Sequence, residues 1–93
     1  MIKSFSNKFL ENLYYDGQSK GINRDHIKKL ERILDRLEQA RDVSQDMRYP
    51  GSDLHKLEPK TEERWAVSVN GNWRVTFIFK GGDAYEVDYR DYH

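Results

Sequence analysis

The sequence contains no cysteine. Disulfide scaffolds, thiolate–zinc sites and cysteine nucleophiles are excluded, and such a chain suits a reducing cytoplasm. No stretch approaches the roughly 20 apolar residues that a membrane span requires. The opening MIKSFSNKF is too polar for a secretory signal peptide, so a cytosolic protein is expected. There is no excess of charge either: 16 basic side chains balance 16 acidic ones. A protein that holds nucleic acid by charge alone carries a basic surplus. Any RNA role must therefore rest on a small local site, or on a larger partner that presents the RNA. HExxH, P-loop and GxGxxG motifs are missing, and the three histidines show no metal-ligand spacing. Neither a metal nor a cofactor is expected.

What the chain does have is a strong hairpin. In RWAVSVNGNWRVTFIFK, residues 64–80, Trp65, Val67 and Val69 alternate with Ala66 and Ser68. After Asn70-Gly71, Val75, Phe77 and Phe79 alternate with Arg74, Thr76 and Ile78. Asn-Gly between two β-branched, aromatic-rich runs signals a tight turn, because both residues tolerate positive φ. The odd-numbered residues carry the larger apolar set and should face the core. Arg74 then lies on the opposite face, beside the turn.

The remaining elements follow from period and capping. Ile2 to Phe5 reads as an edge strand, and Ser6 or Asn7 as the cap of a helix with an apolar stripe of Phe9, Leu10, Leu13 and Tyr14, ended by Gly17. Asn23 caps the longest helix, about Arg24 to Arg41, whose Ile27, Leu30, Ile33, Leu34, Leu37 and Ala40 recur at helical spacing. Its charged residues read as a solvated face, with His26 among them. Asp42 to Asp53 is a loop with room for one helical turn, Leu54 to Leu57 a short strand bearing His55 at its edge, and Glu58 to Glu63 a charged connection. Gly81-Gly82 leads into a last strand, Ala84 to Tyr89, with Tyr85, Val87 and Tyr89 inward. The fold class is α+β: one domain, 1–93, with two N-terminal helices packed on one face of a small, mostly antiparallel sheet.

The other face of that sheet carries the functional argument. Glu86, Asp88, Arg90 and Tyr92 should point away from the helices, as Arg74 does. A guanidinium presents a bidentate fork to phosphoryl oxygens and stays charged throughout. A phosphorane gains negative charge, so a fixed arginine stabilises it more than it stabilises the substrate. Tyr92 or His93 could move a proton to or from a ribose hydroxyl or the leaving oxygen. The bland alternative for Arg74 is a surface arginine paired with Asp88 or Glu86. Trp65, Trp73, Tyr85 and Tyr89 fit core positions better than base-stacking ones, with Trp73, next to the turn, the most exposed of the four.

The start MIKSF, the segment PGSDLHKL, the hairpin WAVSVNGNWR, the stretch GGDAYEVDY and the final DYH, taken in order, resemble the HigB family of bacterial toxins within the RelE/ParE superfamily. The resemblance runs along essentially the whole chain. It implies a RelE-like fold and an antitoxin-controlled, metal-independent endoribonuclease that enters the ribosomal A site and cuts mRNA there. In that picture Arg74 holds the scissile phosphate, and Asp91, Tyr92 and His93 match the family's C-terminal catalytic residues. Lys56, Lys60 and Trp73 are the expected substrate contacts. The implied partners are a HigA-like helix-turn-helix antitoxin and the ribosome with its mRNA, with DNA met only through the antitoxin. The chain departs from the pattern at Glu58, where some members place a catalytic histidine, and at Thr61, where a lysine is expected. Two other readings stay open on sequence alone. One is a non-catalytic inhibitor such as a gyrase poison; the other is a degenerate toxin that only modulates its antitoxin's grip on DNA.

Overall fold

The computed structural model describes residues 1–92. Helix α1 spans Lys8–Asp16; the Asn7 side chain caps it by accepting the Leu10 N–H at 3.1 Å, and Gly17 ends it in the left-handed region at φ 70°. Asn23 caps a 3-10 turn, Arg24–His26, that runs directly into helix α2, Ile27–Gln39. A single further turn of helix, α3, Val43–Asp46, interrupts the following loop. Four strands complete the chain: β1 His55–Lys56, β2 Arg64–Asn70, β3 Trp73–Lys80 and β4 Asp83–Asp91. They form one antiparallel sheet in the order β1-β2-β3-β4.

The alternation expected of the hairpin is realised. Val67, Val69, Val75 and Phe77 are fully buried in one cluster with Leu30, Ile33, Leu34 and Leu37 of α2 and Leu10 and Leu13 of α1. Burying a side chain such as Phe77 stabilises by about 1.5–3 kcal/mol, and Phe77→Ala would cost about 3–5 kcal/mol because the cavity cannot fully collapse. The edge beyond β4 is covered by the N-terminus, where Ile2 and Phe5 bridge to Ala84 and Val87 in parallel. These are isolated bridges rather than a continuous strand. The Ile2 N–H turns instead to Glu38 Oε1 at 2.9 Å, and the Tyr14 hydroxyl donates to the same oxygen at 2.8 Å.

Two expectations are corrected. Tyr85 does not face the helices: it pairs with Ile78, while Asp88 pairs with Thr76, so the register slips by one residue between them. The slip is a bulge at Glu86, which sits at φ 53°. Ala84 is buried before it, Val87 and Tyr89 after it. His26 is not on a wet face either. It is 3% exposed, because the 3-10 turn carries it onto the buried stripe, one helical repeat before Leu30.

Candidate functional site

Cross-strand partners share a face of a sheet and stand about 4.5–5.5 Å apart at Cβ. Across β2, β3 and β4, one such row is Ser68, Arg74 and Arg90, and the next is Ala66, Thr76 and Asp88. Ala66 and Thr76 are buried and make a small-residue floor. Beyond Arg90 the chain continues to Tyr92, whose N–H donates to the Asn72 carbonyl at 2.8 Å. That bond ties the tail to the β2–β3 turn, next to Arg74. The Arg90 guanidinium lies 5.7 Å from the centre of the Tyr92 ring, and Tyr92 is 38% exposed. Arg74, Arg90 and Tyr92 thus gather on the face opposite the helices.

The ion pairs bear on the reading of Arg74 as a surface arginine paired with Asp88 or Glu86. Glu86 is taken by Arg64, at 3.1 Å, and Asp88 by Arg90, at 3.8 Å. Arg74 bonds to neither. Its Nη1 donates to the carbonyls of Gly71, at 2.7 Å, and Trp73, at 3.0 Å. Carbonyls orient a guanidinium without neutralising it. Both bonds come from Nη1, so the turn sets the direction of the guanidinium.

The other expected residues lie elsewhere. Trp73 faces the helices, where it stacks on Tyr89 at 4.5 Å and meets His26 edge-on at 5.6 Å. Asp91 pairs with Trp73 and so falls on that same side; its charge, after burial, helps raise the Tyr89 pKa above the ordinary tyrosine value. Lys56 pairs with Trp65 and sets its ammonium 5.6 Å over that ring. Lys60 lies in the exposed 3-10 turn Lys60–Glu62, at the end of β2 remote from the Ser68–Arg74 pair. His93 lies outside the described residues. Among the described residues, no group of three or more His, Asp or Glu side chains gathers as a metal site.

Two residues on the Arg74 side received no role from the sequence. Arg90 is one; strand parity places it there, but only the register shows that it stands directly opposite Arg74. His55 is the other: it pairs with Ala66, and its Nδ1 bonds to the Asp53 carbonyl at 2.9 Å. A carbonyl only accepts, so Nδ1 is the donor in this bond.

The family described as the RelE-like toxin of type II toxin-antitoxin system HigB matches residues 3–93. The endoribonuclease HigB of Proteus vulgaris is 40% identical over 96 residues, with both chains covered in full.

Proposed function

The chain belongs to the HigB family of RelE-like toxins of type II toxin-antitoxin systems, and from that premise we propose that it is an endoribonuclease that cuts mRNA on the ribosome, using the sheet face that carries Arg74 and Tyr92. The observation that supports this most directly is Arg74 itself, aimed by two carbonyls while Glu86 and Asp88 pair with Arg64 and Arg90 instead.

The reaction needs little else from the protein. The ribose 2′-oxygen bonds to the adjacent phosphorus, the bond from phosphorus to the 5′-oxygen breaks, and a 2′,3′-cyclic phosphate and a 5′-hydroxyl result. The 2′-hydroxyl proton must leave and the 5′-oxygen must gain one. Arg74 stabilises the charge that builds on the non-bridging oxygens. Tyr92 and the adjoining His93 serve the two proton transfers. The balanced net charge suits a toxin whose substrate is delivered in the ribosomal A site rather than captured from solution. As a toxin of a type II system it pairs with an antitoxin; a HigA-like helix-turn-helix protein is the partner that the family resemblance favours.

The test is to map mRNA 5′ ends after a brief pulse of expression without antitoxin, with wild type beside Arg74→Ala. Cuts in register with codons in the wild type, lost in the variant, are expected. The same cuts from both proteins would refute the site.

A further inference from the structure

Arg90 and Arg74 stand directly opposite each other on β4 and β3. Like charges in that arrangement repel and destabilise a sheet, and Arg74 bonds to carbonyls while Arg90 pairs with Asp88. The Gly71 and Trp73 carbonyls hold only one edge of Arg74. Asp88 reaches the Arg90 Nε at 3.8 Å and spends its other oxygen on the Tyr89 N–H at 2.8 Å. So long and exposed an ion pair is weak. Arg90 and Arg74 share a face with the small floor of Ala66 and Thr76 in the next row, and the Tyr92 ring lies 5.7 Å from the Arg90 guanidinium.

We infer that Arg90 is a second phosphate-binding residue, which with Arg74 clamps the two non-bridging oxygens of the scissile phosphodiester. The inference rests on the nuclease reading of this face and adds to it a residue and a geometry. One phosphodiester between the guanidiniums turns a repulsive pair into two attractive ones. Two fixed forks on opposite oxygens also orient the phosphorus for in-line attack. The second cation supplies charge at a site that lacks both the histidine expected at Glu58 and the lysine expected at Thr61.

The experiment is single-turnover cleavage of mRNA on programmed ribosomes by wild type, Arg90→Ala, Arg90→Lys, Arg74→Ala and Asp88→Asn. The mRNA carries either a normal scissile phosphate or one of its two phosphorothioate diastereomers. Arg90→Ala should slow cleavage about 10- to 100-fold, against roughly 100- to 1,000-fold for Arg74→Ala. Arg90→Lys should recover part of the loss, and Asp88→Asn should leave the rate unchanged. Sulfur in one diastereomer should slow the wild type but not Arg90→Ala, and the other diastereomer should behave so with Arg74→Ala.

An Arg90→Ala rate within about twofold of wild type, with Arg74→Ala inactive, would overturn the clamp and leave the nuclease reading standing. A slow Arg90→Ala that kept both sulfur effects would make Arg90 a positioning residue for Tyr92 and equally overturn it. If the wild type cut nothing, the nuclease reading would fall by itself. The clamp would then be decided by titrating the protein with a 2′-deoxy dinucleotide phosphodiester while following the arginine Nε–H resonances. Shifts at both Arg74 and Arg90 support it, and a shift at Arg74 alone refutes it.

Discussion

His26 Nδ1 lies 2.6 Å from the Tyr89 hydroxyl, and both residues are buried. The contact links the turn that opens α2 to the strand that ends in Arg90 and Tyr92. Through the stack of Tyr89 on Trp73 it also reaches the residue beside Arg74. The scaffold under the candidate site is therefore an aromatic layer with a buried polar contact inside it. Tyr89→Phe keeps the ring and removes the hydroxyl, leaving the imidazole nitrogen without its partner. Denaturant unfolding should show a loss of about 1–3 kcal/mol, the cost of an unsatisfied buried polar group.

Arg74→Ala should behave in the opposite way. The side chain is half-exposed and the two carbonyls it caps can turn to water. Stability should change by no more than about 0.5 kcal/mol, while cleavage on ribosomes falls by roughly 100- to 1,000-fold. Circular dichroism and single-turnover rates on one preparation check both halves.

Tyr92→Phe removes one hydroxyl and keeps the ring against Arg90. The rate should fall about 100-fold or more, as expected when a proton-transfer group is lost, with unfolding unchanged. Cleavage that kept its wild-type rate would take Tyr92 out of the chemistry.

Glu38 predicts a pH dependence of stability. The Ile2 N–H, and after it the Tyr14 hydroxyl, hold its carboxyl below the usual glutamate value, against an opposing effect of burial. A depressed folded-state pKa contributes stability above the unfolded value, and that contribution is lost as pH falls through the folded one. Glu38→Gln should cost about 1–3 kcal/mol near neutral pH. The gap between the two proteins should close as urea titrations are repeated at successively more acidic pH.

Gly17 and Gly21 both adopt positive φ, at 70° and 78°, but only Gly21 is crowded: a Cβ there would fall 2.6 Å from the Phe9 ring, whereas one at Gly17 meets nothing within 4 Å. Gly17→Ala should cost about 1–2 kcal/mol of backbone strain. Gly21→Ala should cost about 1–3 kcal/mol more from overpacking. Combining Gly21→Ala with Phe9→Ala should recover the steric part and leave the strain, as a thermal-melt double-mutant cycle would show.

Much of this architecture is legible in the residues themselves. The Asn70-Gly71 turn and the alternation around it place Arg74 on the helix-free face, and the Leu30–Leu37 period places the helix that covers the other. The failures have physical causes. Glu86 carries no local sign of a bulge, since glycine is the usual residue at that φ. Its support is long-range: its N–H donates to Ser4 Oγ at 2.9 Å, and its carboxylate meets Arg64. His26 was readable, four residues before Leu30, but a polar side chain next to Ile27 suggests solvent. The pairing of Arg74 with Arg90 needs the register, which the bulge sets and no spacing count reveals.

The extra residue at Glu86 also governs how the protein could be silenced. Side chains before and after it obey opposite parities, so the tail's orientation depends on a count rather than on any one group. Inserting a single amino acid between Val87 and Arg90, paired in the ladder rather than bulged from it, would turn Arg90 and Tyr92 over toward the helices, whereas deleting Glu86 itself would leave them facing outward. A lineage escaping its own toxin could take that route, leaving every chemically competent residue intact in its gene.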